Sequence, residues 1–322
     1  MSAAVETMMY VGETPWHRFG TYVGDEDILS DEAIIRAGLD WEVGLAPLFG
    51  HTDDHGVIDI DTHVATVRLS DGKPLGIVSP NYVPVQNHES FEFLDALVED
   101  GEVRYHTAGS LFGGKHVWLL AKAYESEIIP GDKVDHYLLL HTGHDGKTIF
   151  RCLFTNVRVV CANTARLALS SGKGSGVSIR HTKNVMDRIE DARETLGLAR
   201  KSFEKNTKLF RELADTPLSM KRWVELCENV FPVEEDASKV AVTRAENNRR
   251  VLTNLYMDGR GTEIPGVRGT AWGAYNAITE YSNYQFPTRG SNGDERRFAS
   301  LIDGPSANFV NRGTKLLMEV AA

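Results

Sequence analysis

Seven cations stand between Gly146 and Met186 with no carboxylate among them: Lys147, Arg151, Arg158, Arg166, Lys173, Arg180 and Lys183. An even spread of the chain's 45 acids would put between five and six in those 41 positions. Over residues 147–222 there are 16 Lys+Arg against 7 Asp+Glu, a local +9; since the whole chain carries −10, the rest carries −19. Charge segregated in this way suits an anionic partner, or an acidic surface of a second copy, facing the basic part. The alternative is that each base pairs with an acid elsewhere in the fold. The stretch "SSGKGSG", residues 170–176, surrounds Lys173 with small residues whose backbone N–H groups can approach a phosphate. It is not a Walker A loop, because Gly174 follows Lys173 and Leu167 stands where that motif needs glycine.

Other residue types here could do chemistry. Cys161 precedes Asn163 and Thr164, and a thiolate at a helix start would be activated. No Cys-His-Asn order accompanies it, so a small buried thiol is the expectation, with Asn163 or Thr164 capping a helix that runs through Leu169. His141, His144 and Asp145 of "HTGHDG" have ligand chemistry without a fourth ligand, and a turn before a strand explains them equally well. "PWH" at 15–17 is a clamp or a packed indole. Trp272, Tyr275, Tyr281 and Tyr284 could stack bases, but their helical spacing suits a core. No catalytic residue, metal or cofactor is assigned.

The elements that would position these groups follow from periodicity. Residues 1–27 look like an extended arm. Ser30 is a plausible cap for a helix ending at Gly38. From Trp41 to Val85 short alternating runs are separated by the hairpin turns "DDHG" and "SDGK". "NHESFEFLDALVEDG" is an amphipathic helix stopped by Gly101, and "HVWLLAKA", "DHYLLLHT" and "KTIFRCLF" are further strands. From His181 to Ala214 apolar residues recur at steps of three and four, predicting one long helix with a narrow seam suited to one partner helix or another subunit. Helices are predicted over 219–231, 237–258, "TAWGAYNAITEYSNY" and "SANFVNRGTKLLMEVA", the last capped by Ser306. The expected fold class is α+β: an antiparallel, curved sheet with one or two packed helices, followed by a helical C-terminal half. The expected domains are an α+β domain with its arm at 1–181 and a helical region at 182–322. Three cysteines without metal spacing, no apolar run of 18 residues and no signal-peptide pattern point to a cytoplasmic protein with no membrane partner.

The motifs "PWH", "AGLDWEV", "YVPVQN", "HDGKTIFRCLFTNVRVVCANT", "IRHT", "GTAWGAYNAITEY" and "NRGTKLL" lie in order along nearly the whole chain. On them the sequence resembles the phage/plasmid-like proteins of unknown function (domain of unknown function nine-three-two). The resemblance brings no activity. It implies a phage or mobile-element setting and, by analogy of fold with single-strand annealing proteins, a part in annealing or recombination. The leading expectation is therefore a homo-oligomeric binder of single-stranded DNA, its phosphates met by the seven cations. The alternatives are a nucleotide- or nucleic-acid-modifying enzyme built on Cys161 or the His141/His144/Asp145 turn, and a structural, self-associating phage protein.

Overall fold

Alternation and turn chemistry place strands through the first half of the chain, and the 3.6-residue period places helices through the second. The computed structural model describes residues 5–12, 20–26, 28–99, 101, 103–158, 163–165, 176–188, 199–287, 300 and 305–321. Its strands are β1 (Val5–Tyr10), β2 (Thr21–Tyr22), β3 (Val43–Thr52), β4 (Gly56–Arg68), β5 (Lys73–Val78), β6 (Arg104–Leu111), β7 (His116–Ile129), β8 (Asp132–Gly143), β9 (Phe150–Arg158), β10 (Asn163–Ala165) and β11 (Gly176–Ile179). The helices are α1 (Ser30–Arg36), α2 (Asn87–Glu99), α3 (Ala199–Asp215), α4 (Met220–Val230), α5 (Lys239–Asp258), α6 (Ala271–Glu280) and α7 (Pro305–Ala321), with a π-helical turn at Tyr281–Gln285.

The α+β class holds: a large antiparallel sheet, with helices concentrated in the C-terminal half. One sheet runs β10-β9-β8-β7-β6-β1-β2, with β11 also on β9; a second runs β3-β4-β5. β1 and β2 pair in parallel at one edge. At the other, β10 pairs with Asn156–Arg158 and β11 with Phe150–Leu153 of the same strand.

Two compact units divide the chain. One holds residues 1–123, 137–153 and 176–199, the other 124–136, 154–175 and 200–322. In the first, α1 and α2 are tied by the Ser30 hydroxyl donating to Asp95. Arg68 of β4 makes a two-toothed ion pair with Glu6 of β1 at 3.0 Å and a second bond to Asp71 at 2.7 Å. In the second, aromatic rings fill the space between helices. Trp223 stacks on Tyr256 with centroids 4.3 Å apart, and Trp272 stacks on Tyr275. The indole N–H of buried Trp272 donates to Asp132 at 2.8 Å.

Several expectations are corrected. The arm contains an interior strand, since β1 lies between β6 and β2. Ser30 is not a cap, because its hydroxyl is spent on Asp95. Ser306 stands inside α7, after Pro305 at a position suited to its fixed φ and missing N–H. Asn163 and Thr164 start no helix: they complete a hairpin, paired with Arg158 and Val157. Of the long predicted helix, Val185–Arg188 and α3 are helical, and residues 189–198 between them lie outside the described residues.

Candidate functional site

Four of the seven cations, Lys147, Arg151, Arg180 and Lys183, lie at or within a few residues of one end of the β9–β11 ladder. The register pairs Phe150 with Ile179 at that end and Arg151 with Ser178 beside it. Paired residues of an antiparallel ladder share a face and side chains alternate, so Arg151 and Arg180 belong to one side while Phe150 and Ile179 are buried on the other. Lys147 lies three residues before the ladder end and Lys183 four residues after it. Lys147, Arg180 and Lys183 are exposed and Arg151 is half-buried. Among the described residues, none of the three exposed cations has a carboxylate partner.

Two loops carrying those cations are fastened together by histidines. Tyr82 donates to the Gly143 carbonyl at 3.2 Å, and its ring stacks on His181 at 5.3 Å. His181 Nε2 lies 3.3 Å from the Thr142 hydroxyl. The segment Lys183–Arg180 is thereby held against the turn 141–147. That turn is fixed from within as well. Asp145 accepts from the backbone N–H of Lys147 at 2.9 Å and of Thr148 at 2.8 Å, and bonds His116 Nε2 at 3.2 Å. Burial would raise the Asp145 carboxyl, but the His116 bond and the two N–H groups outweigh it and hold it well below the usual carboxylate range. His144 is fully buried, bonded through Nε2 to Asn87 at 3.0 Å and edge-on to Trp41. Burial lowers its pKa to about 3 and that of His181 to about 4. Both rings are neutral structural pins at neutral pH.

The second sheet closes on this turn. The Thr66 hydroxyl donates to the His144 carbonyl at 2.6 Å, and a Cβ at Gly76 would stand 2.6 Å from the Asp145 backbone. Backbone cannot step aside as a flexible side chain can. Gly76→Ala is expected to cost about 1–3 kcal/mol, measured by urea denaturation, because the turn that carries Lys147 must shift; an unchanged midpoint would show that β5 does not set it.

The "HTGHDG" turn is thus an anchor. Among the described residues no group of three or more His, Cys, Asp or Glu side chains could hold a metal. Of the other predicted cations, Arg158 lies in β9 opposite Asn163, in the second unit. Arg166 and Lys173 lie outside the described residues, as do Cys161 and the "PWH" of 15–17. Trp272, Tyr275 and Tyr281 are buried in the helical core and present no face to a base. The second unit has one further polar cluster that the sequence did not single out. Ser126 Oγ stands 2.7 Å from His136 Nε2, with the Thr207 hydroxyl 3.2 Å from each. Burial lowers His136 to about 4, opposed by Asn156, which leaves a weak base for taking a serine proton. No helix among the described residues is long and apolar enough to cross a membrane.

No curated protein and no solved structure matches the chain. The family described as Domain of unknown function (DUF932) matches residues 74–302, a span that includes the histidine-pinned turn, the β9–β11 ladder and all seven cations. The chain belongs to that family.

Proposed function

We propose that this protein binds single-stranded nucleic acid through the cations at the end of the β9–β11 ladder, in annealing or recombination within a phage or mobile element. The mobile-element setting rests on the resemblance of motifs alone. The observation that carries the binding is the convergence of Lys147, Arg151, Arg180 and Lys183 on one end of one ladder, three of them exposed and without carboxylate partners. On a chain of net charge −10, exposed cations gathered at one place favour a polyanion there over the acidic remainder of the surface. The enzyme alternative built on the His141/His144/Asp145 turn is not favoured, because His144 and Asp145 are spent on structural hydrogen bonds; the one built on Cys161 lies outside the described residues.

The test is the salt dependence of oligonucleotide binding. Each phosphate contact to a single strand contributes roughly 0.7 to the slope of log K against log salt. Replacing Lys147, Arg180 and Lys183 together by Ala is expected to flatten that slope by about 2. The three side chains are exposed, so the fold should be unaffected; an unchanged slope in a folded variant sinks the proposal. Self-association is part of the same proposal, and rings or filaments in electron micrographs with an oligonucleotide would support it.

A further inference from the structure

The turn between β6 and β7, "LFGGKH" from Leu111 to His116, holds three consecutive residues at positive φ: Phe112 at 54°, Gly113 at 71° and Gly114 at 87°. Glycine adopts this left-handed region freely; a bulky side chain does not, and Phe112 is the one non-glycine residue in it among the described residues. Strain of this kind persists where the surroundings enforce it. Burial does not repay it here, since Phe112 remains 40% exposed.

What Phe112 does touch leads to the basic turn. Its ring meets His116 edge-on at 5.2 Å. His116 Nε2 bonds both Asp145 Oδ2 and the Thr148 hydroxyl, the latter at 3.0 Å, and Asp145 holds the backbone N–H of Lys147. Lys115, exposed three residues further along the same turn, gives its carbonyl to the His144 N–H at 2.8 Å. A partly exposed aromatic ring is therefore fixed, through one histidine, to the turn that presents Lys147, with a second exposed lysine in its own turn.

We propose that Phe112 is a stacking platform for one unpaired base, with Lys115 and Lys147 meeting the flanking phosphates. This rests on the reading of the basic ladder end as a single-strand surface, and it adds a preference that charge alone lacks. Phosphate contacts do not distinguish an abasic strand from one with bases, whereas a ring selects a flat π face and rejects a duplex whose bases are already stacked.

Three chains and two probes test it: the full-length protein, Phe112→Gly and Phe112→Trp, each titrated with an unpaired oligothymidylate and with an abasic strand of equal length. The wild type is expected to bind oligothymidylate roughly tenfold more tightly than the abasic strand, and Phe112→Gly to abolish that difference. Phe112→Trp is expected to keep it. Phe112→Gly relieves the backbone strain, so its thermal midpoint should be no lower than wild type and lost binding cannot be blamed on unfolding. Equal affinity of the wild type for both probes, or an unchanged difference in Phe112→Gly, overturns the platform while leaving the basic surface standing. Failure of the wild type to bind either probe, at low salt, removes the basic surface as well.

Discussion

Lowering the pH from 7 to 5 is expected to destabilise the first unit by up to about 6 kcal/mol. Burial, with Lys122 and Arg104 nearby, lowers His106 to about 4; burial likewise holds His181 at about 4 and His144 at about 3. Released by unfolding, all three return toward the ordinary value of about 6.5. Their folded pKa values lie below their unfolded ones, so the unfolded chain takes up protons first as the pH falls. Stability is complete above about pH 6.5 and drains away toward pH 4, about 2 kcal/mol per ring by pH 5. Asp145 has linkage of the same sign, its folded pKa also lying below the unfolded one, but it stays ionised in both states over this window, so its contribution is lost only in stronger acid. Urea denaturation at pH 7, 6 and 5 reads the effect directly. A flat stability across that range would mean that the three rings are not held neutral and that the knot of Tyr82, Thr142 and His181 does not exclude water.

Truncating Trp272 should be nearly as damaging to the second unit. Its indole is buried, stacked on Tyr275 and tilted against Phe210, and its N–H reaches Asp132. Trp272→Ala is expected to cost about 3–5 kcal/mol through lost contact and the cavity left behind. A further cost of about 1–3 kcal/mol is expected from taking a donor away from a buried carboxyl group. Trp272→Phe separates the two contributions, because it keeps most of the ring packing and removes the N–H. Equilibrium unfolding of both variants decides the matter: if Trp272→Phe matches wild type, the bond from α6 to Asp132 contributes nothing to stability.

Elements defined by local chemistry were legible in the sequence. "DDHG" and "SDGK" are turns because aspartate and glycine tolerate tight reversals, and Gly56 and Gly72 do adopt positive φ. Helices α4, α5 and α6 follow from apolar spacing alone. Misplaced elements depended on distant partners. Thr7 to Tyr10 read as part of an extended arm rather than an interior strand because its pairing residues lie about a hundred positions away, in β6. Ser30 has the chemistry of a cap, but Asp95 competes for its hydroxyl. The site divides the same way. The cations could be counted along the chain, whereas the histidine pins join Asn87 to His144 and Thr142 to His181. Phe112 gave no periodic signal; only the glycines after it hinted that a reversal begins there.

The way the large sheet ends constrains how copies of this chain could assemble. Among the described residues, one margin is the two-residue β2, and at the other β9 has its outer side taken up by short β10 and β11. A neighbour adding a strand at either margin would find few free main-chain groups in line, which also guards against runaway fibre growth. Contacts between copies at these two margins would therefore run through side-chain surfaces, and such joints should open and close with salt and with bound anions rather than lock as a continuous ladder would.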